Sequence, residues 1–574
     1  MSILTKEEYE KLKEIDIMPI NRIMQSAIRS DTDASDYFPL VISILFLALL
    51  GTKKEVSTLH SFVGTIFESE TVIEYLRELI ITEEEVIETL SSKFDEDSLK
   101  AAVLFSTLKQ HIDPSYQSTP SELSQLAMEL LSIEDGDVIM DLGSGVGNFV
   151  NEVGFLNNAI SVYGVEIKTK NIIVSTLRSY IINKNIRYRQ GNIVSQDWSE
   201  IEASKVFSHF PLGGRMQSVE KYLLNNVKLA SAFENTKRTI TSDWVYVLAA
   251  YYSMKPGGKC VCLISNSGTW NKADEEIRHL LLKEGAVEGI IALPPNMLQN
   301  TPIPITMVVL SGGNRNVKMV DASEMFKKGR KQNTLTENAI KKISVAYWEE
   351  SEDSVVVSLE KLKNNGYVFN PIRYMEYDDD IKDGYTLSEV AVSINRSIGL
   401  RANELDEAVT TERTGYRYLR LQDIDEGIVA KNLQNLKEES EKDSWVLVQN
   451  NDLIVSKNSP FKIAMANFES KEKVIASGNL YLIKIDENKI NPVFVEVFLQ
   501  SEAGLVQLTR HSKGAVFNSI SLEDLKKVKI PKVSREVQNQ IADEYAKLKE
   551  QLIVIERQVD LIKDRRAKLL EGVV

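Results

Sequence analysis

The stretch Val138-Ile-Met-Asp-Leu-Gly-Ser-Gly-Val-Gly-Asn-Phe-Val150 constrains the fold of this chain more than any other. It reads as an apolar strand, an acid at Asp141, glycines at alternate positions and the start of an amphipathic helix. Gly143, Gly145 and Gly147 let the backbone turn tightly and approach a ligand with no Cβ in the way. The spacing is G-x-G-x-G with Asp141 two residues ahead, which differs from the G-x-G-x-x-G of a dinucleotide fold.

The neighbouring segments extend the pattern. Residues 160–166 read as a second strand that ends on Glu166, about 20 residues after the glycines, where an α/β nucleotide site needs an acceptor for ribose hydroxyls. Upstream, Thr119-Pro-Ser-Glu122 fits a capping box with Pro120 at the first helical position. The helix it opens carries Leu123, Leu126, Ala127, Leu130 and Leu131 on one face.

The 574 residues leave room for three or four domains, and 43% hydrophobic with 26% charged residues is an ordinary globular composition. The longest apolar run, 40–50, is interrupted only by Ser43; it is too short to span a bilayer and predicts a buried helix. No signal peptide is visible. Cys260 and Cys262, two apart on a strand, face the same side, so neither a disulfide nor a zinc site is expected and a reduced, cytoplasmic setting is. A net charge of −14 argues against a generally basic coat and confines any DNA binding to a local, salt-sensitive groove.

Five regions follow from the patterning. Residues 1–110 predict a helical N-terminal domain. Residues 111–345 alternate strands (138–142, 160–166, 205–210, 260–265, 289–293, 306–310) with helices, which predicts a parallel, doubly wound α/β sheet. Residues 346–383 are charged and turn-rich and read as a linker. Residues 384–530 show short strands and turns such as Asp425-Glu-Gly427, hence a mixed α/β domain. Residues 531–574 read as one helix with a heptad seam at Ile541, Tyr545, Leu548, Leu552, Ile555, Val559 and Ile562, a coiled coil in want of a partner helix.

The glycine motif with its leading acid is similar to the first motif of S-adenosylmethionine (SAM) methyltransferases. More widely, 116–323 resembles the modification subunit of type I restriction–modification systems, a gamma-class adenine-specific DNA methyltransferase. The matching segments are Tyr116-Gln-Ser-Thr-Pro120, residues 141–147, Glu166, Lys255-Pro-Gly-Gly258, Ala292-Leu-Pro-Pro-Asn-Met297 and Thr301-Pro-Ile-Pro304. The region 384–574 resembles half of a type I specificity subunit, through Tyr385-Thr-Leu-Ser-Glu-Val390, 415–424, Asn451-Asp-Leu-Ile-Val-Ser456 and 519–531 followed by Gln538-Asn-Gln-Ile541. The resemblance implies a methyltransferase fused to one DNA target-recognition domain, with SAM held by Asp141, Gly143, Gly145 and Glu166 and with Thr119 contributing from the preceding loop.

The resemblance also exposes departures. The family's catalytic segment is Asn-Pro-Pro followed by Phe or Tyr. Its Asn accepts hydrogen bonds from the amine of a flipped adenine, and its ring stacks on the base. Here His209 stands for the Asn, Phe210 for the first proline, Pro211 remains, and Leu212 stands for the ring. Phe210 is the expected substitute stacking face. Asn192 sits where family members often place an acid toward the SAM adenine. Three readings are therefore open: a working adenine methyltransferase with an altered acceptor, a catalytically degenerate DNA-binding scaffold or regulatory component of a defence system, or a methyltransferase acting on some other substrate. In the recognition domain Lys457, Lys462, Arg510 and Lys513 are the expected contacts to duplex DNA. The terminal helix is expected to pair with a second copy or a partner subunit, and no metal site is expected.

Overall fold

The computed structural model of the chain describes residues 4–28, 34–106, 118–156, 160–182, 185–216, 226–233, 240–298, 303–330, 332–375, 381, 383–396, 400, 402–430, 432–437, 446–468, 472–513 and 519–567. The chain divides into two compact units, 1–375 and 376–574.

Helices lead the first unit. The apolar run forms the helix Ala34–Gly51, with Ile42 to Leu50 buried among the helices that run from Lys6 to Phe105. Among the described residues no single helix is long and apolar enough to cross a membrane. This helical layer packs on the helix Thr169–Ile182, whose Ile173, Val174, Leu177 and Ile181 join the same core.

Behind it lies one nine-stranded sheet. Its strands are β1 (Val138–Leu142), β2 (Ser161–Glu166), β3 (Ile186–Gln190), β4 (Ala203–Ser208), β5 (Met254–Ser265), β6 (Val287–Ala292), β7 (Ile305–Leu310), β8 (Asn316–Asp321) and β9 (Ser354–Ser358). Their order is β3-β2-β1-β4-β5-β7-β6-β8-β9. The chain leaves β1 in one direction for β2 and crosses to β4 on the other side. The crevice beyond the C-terminal ends of β1 and β4 is the switch point where α/β sheets bind ligands.

Two expectations need correction here. The sheet is mixed, because β7 runs antiparallel between β5 and β6, and β9 antiparallel to β8. Ile305–Leu310 is buried at every position, which marks an interior strand but carries no information on direction. The segment 346–383 is not a plain linker, since 354–358 is the sheet's edge strand and 359–364 a helix with buried Leu362. The flanking acids Glu349, Glu350, Glu352 and Asp353 hid an alternating strand in which Val357 is buried and Val356 exposed.

The second unit holds a four-stranded sheet (391–396, 480–485, 453–456, 463–465) and a five-stranded one (409–410, 434–436, 416–419, 473–476, 447–448). The Asp425-Glu-Gly427 turn joins the hairpin Ile424–Asp425 and Ile428–Val429, with Glu426 and Gly427 both at positive φ (42° and 77°). The helix Arg535–Ala567 closes the unit. Its first turns are held down: Ile541 packs on the unit's core, Tyr545 donates to Gln500 Oε1 at 2.9 Å, and Lys549 pairs with buried Glu496 at 2.9 Å. Farther along, the seam is bare, with Leu548, Ile555, Val559 and Ile562 exposed by 42–66%.

Candidate functional site

The ends of β1, β2 and β4 build one site. Register places Leu142 beside Val165 and Asp141 beside Phe207, so the glycine turn lies between Glu166 and His209. Gly143 (φ 85°), Gly145 (54°) and Gly147 (83°) all adopt the left-handed region that side chains resist. The N–H groups of Gly143 and Ser144 both donate to Val165 O at 2.9 Å, and that of Gly145 donates to Glu166 Oε2 at 3.0 Å. The other Glu166 oxygen accepts from the Lys168 N–H (2.8 Å) and the Asn171 amide (3.3 Å). The turn is thus pinned by the same carboxylate that was expected to meet ribose.

Asp141 is buried, and among the described residues neither its Oδ1 nor the buried Ser144 hydroxyl finds a hydrogen-bond partner. Burial pushes the Asp141 carboxyl well above the usual carboxylate range, and the charge of Glu166 adds to the shift. Open space surrounds Gly145 where a Cβ would stand. Orphaned polar atoms around an open glycine cradle are what a polar ligand would satisfy. Asn192 uses its Oδ1 to accept from the Val194 and Ser195 N–H groups, so it shapes the turn after β3.

His209 follows β4 directly. Its Nδ1 lies 2.9 Å from Thr119 Oγ1, while its Nε2 is buried without a partner among the described residues. The residue is only 6% exposed, and burial alone lowers its pKa to about 4, so the ring is neutral at physiological pH. The capping box expected at Thr119 does not form. Pro120 stands at the N-cap of the helix Ser121–Leu131 with no side-chain cap bond, and the Thr119 hydroxyl goes to His209 instead.

The rest of the 209–212 segment departs from expectation at one place. Phe210 is 1% exposed and stacks on Tyr246 (centroids 4.7 Å apart, 27°) inside the core, so it is no substitute for the missing stacking ring. Pro211 is exposed and Leu212 half-buried. Gly213, at φ 72°, donates its N–H to Asp243 Oδ1 at 2.8 Å. Asp243 is fully buried and its Oδ2 accepts from the Ser265 N–H and hydroxyl at 2.8 and 2.6 Å, which ties the segment to the end of β5.

Several of these positioning residues were not singled out in the sequence. Asp243, buried Arg178 and Asn148 act across 29 or more residues, beyond any local pattern. A buried charged residue needs partners, so only the fold reveals them. Among the described residues no cluster of metal-ligating side chains occurs.

In the second unit Lys457 is half-buried, and its ammonium pKa is lowered by burial first and by Arg396 second. Lys462 is already engaged, donating to the Ile424 carbonyl and lying 3.7 Å from Asp425. Arg510 is half-buried in the last turn of the helix Glu502–His511. The side chain of Lys513 lies outside the described residues, as do Tyr116, Gln117, Thr301 and Pro302 of the segments quoted above.

Comparison with known proteins agrees with this division. Residues 116–383 match the family model described as N-6 DNA methylase, and residues 400–562 match the type I restriction modification DNA specificity domain. The MjaIX type I restriction enzyme methylase subunit of Methanocaldococcus jannaschii is 24% identical over 46% of this chain and 52% of its own. The HindI methylase subunit of Haemophilus influenzae is 25% identical over 47% of this chain and 66% of its own. The chain therefore spans between about half and two thirds of the length of these curated relatives. The crystal structure of a type I methyltransferase subunit from Streptococcus thermophilus aligns with 64% of this chain and 99% of its own, at 18% identity and a TM-score of 0.48. The chain joins an N-6 DNA methylase domain to a type I restriction–modification DNA specificity domain.

Proposed function

We propose that this chain is a SAM-dependent methyltransferase acting on the exocyclic amine of adenine in duplex DNA, directed to its site by the fused specificity domain. The observation that carries the reading is the meeting, at one end of the sheet, of an open glycine cradle with orphaned Asp141 and a neutral His209 whose Nε2 has no partner among the described residues.

The residues fit the cofactor. Asp141, Gly143, Gly145, Glu166 and the Asn192 turn would hold it, since orphaned acceptors and free space suit a cationic, hydroxyl-bearing ligand. When bound, SAM supplies an electrophilic methyl group on a sulfonium. His209 accepts a hydrogen bond from the adenine amine and draws its lone pair toward that methyl. Asp243 holds the backbone after His209 in place through Gly213. Thr119 serves His209 in this arrangement.

The specificity domain would meet DNA with Lys457, joined by Arg396 beside it: two neighbouring cations gain from a phosphate between them. Arg510 and Lys513 complete the expected surface, whereas Lys462 braces its own hairpin. The bare half of the terminal seam would pair with a second copy of the chain, giving two recognition domains per assembly and a two-part site.

One observation favours the second reading, a scaffold that binds SAM or DNA without transfer. With Phe210 in the core and Leu212 in the ring position, the segment offers no aromatic face to a flipped base. Incubating the chain with tritiated SAM and DNA from a strain lacking the protein separates the two. Label in adenine supports the enzyme, and SAM binding without transfer supports the scaffold.

A further inference from the structure

Five contacts form one chain of hydrogen bonds that runs from the helical layer to His209. Arg178, buried at 3% exposure, donates from Nε to Val103 O (3.0 Å) and from Nη1 to Val146 O (3.2 Å) and Asn148 Oδ1 (3.1 Å). Asn148 in turn donates from Nδ2 to Thr119 O at 3.1 Å. The amide of Asn148 has only one workable orientation. Arginine is a donor only and a carbonyl an acceptor only, so the oxygen faces Arg178 and the nitrogen faces Thr119. The next helical turn repeats the grip, with Ser121 Oγ donating to Glu152 at 2.7 Å. Thr119 is therefore held from both sides along the chain, and its hydroxyl lies at a fixed 2.9 Å from His209 Nδ1.

That contact has two hydrogen arrangements. If Thr119 donates, His209 carries its hydrogen on Nε2, and a buried N–H is left with no acceptor. If Nδ1 donates, Nε2 presents a lone pair, and the hydroxyl hydrogen of half-buried Thr119 is free to meet water. Orphaned buried N–H groups are rarer than under-satisfied acceptors, so the second arrangement is favoured.

We propose that Thr119 is a positioning residue that keeps His209 in the tautomer hydrogenated on Nδ1, so that Nε2 offers its lone pair to the donor amine of the target. The assignment of that amine to adenine rests on the function proposed above; the tautomer does not. The Thr-Pro segment thereby becomes part of the acceptor for the target amine, replacing with two side chains what a single asparagine does in the resembled family.

The test uses the full chain labelled with ¹⁵N-histidine. The chain has five histidines, and His209→Asn assigns the signal of interest by its disappearance. The wild type is expected to show a pyrrole-type Nδ1 and a pyridine-type Nε2. Thr119→Val, which keeps the shape and removes the oxygen, is expected to shift the ring toward the other tautomer and to lower kcat about tenfold, the effect of one lost hydrogen bond, with the KM for DNA unchanged. Thr119→Ser is expected to restore both signal and rate. A wild-type spectrum with hydrogen on Nε2 overturns the proposal, and this readout needs no variant beyond the assignment. An unchanged tautomer in a folded Thr119→Val also overturns it. A wild type with the expected tautomer but no methyl transfer would instead overturn the proposed function and leave the tautomer assignment standing.

Discussion

The two halves of the site differ in kind. On the glycine side, backbone and carboxylate do the holding: three left-handed glycines, N–H groups clamped to Val165 and Glu166, and an orphaned acid with space beside it. On the target side, no comparable backbone cradle occurs among the described residues. One neutral imidazole is held by a threonine from a distant loop, and the residue beside it has gone into the core. Burial shifts both halves toward the uncharged form: it raises the Asp141 carboxyl and lowers the His209 imidazole to about 4, which leaves the imidazole with an acceptor nitrogen at physiological pH. On the proposed function, the cofactor half keeps its backbone cradle while the target half relies on other side chains.

The largest expected effect breaks the glycine half. Asp141→Ala combined with Gly143→Ala removes the orphaned acid and forces a Cβ into a residue at φ 85°. Calorimetry is expected to show no SAM binding, and transfer is lost with it. Retained binding would mean that the cofactor sits elsewhere.

Phe210→Ala tests whether the target half is core or contact. A fully buried ring stacked on Tyr246 predicts a stability loss of about 3–5 kcal/mol, read by denaturant unfolding. A stable variant with weakened DNA binding would return Phe210 to the base pocket. His209→Asn with Leu212→Phe restores the resembled family's acceptor and ring. Because the shorter asparagine forgoes Thr119, the rate of transfer is expected to fall or stay level. A rise would favour the degenerate reading.

pH sharpens the contrast more gently. With a folded pKa of about 4 against an ordinary value of 6.5, His209 stays neutral while the unfolded chain protonates. Its contribution to stability is therefore full above 6.5 and is lost as pH falls from 6.5 toward 4, on the order of 3 kcal/mol in total. Transfer is expected to show no inflection near 6.5 that His209→Asn removes; such an inflection would place the ring in water.

The smallest effect concerns the specificity domain. Removing Lys457 and Arg396 together is expected to flatten the dependence of log K for DNA on log salt by about 1.8, two phosphate contacts at roughly 0.9 each. An unchanged slope would exclude both from the DNA surface. Leu552→Lys with Ile555→Lys is expected to convert a dimer to a monomer in light scattering, and a wild type that is already monomeric would point to a separate partner subunit.

The same contrast explains what the sequence disclosed. Glycine spacing, Asp141 and Glu166 are local signals, because a tight turn and a strand end are built from neighbours in the chain. The Thr119-Pro-Ser-Glu122 pattern was equally local and misled. Its hydroxyl had two possible partners, and a contact 90 residues away won over the cap. Asp243 and Arg178 left no signal, since a buried charge looks like any other polar residue until its partners are assembled. Direction in the sheet was illegible for a related reason: β7 is buried at every position and reads the same either way. The heptad seam was visible, but not that its first turns pack on their own unit through Ile541, Tyr545 and Lys549.

The central claim is that a complete cofactor half works with a rebuilt acceptor. Its most direct test is methyl transfer from tritiated SAM to unmethylated duplex DNA by the wild type and by His209→Ala, with SAM binding measured on both. The account predicts labelled N6-methyladenine from the wild type, a fall of at least about 10²-fold in His209→Ala, and equal SAM affinity in the two. Undiminished transfer by His209→Ala, or a wild type that binds SAM and labels nothing, would contradict it.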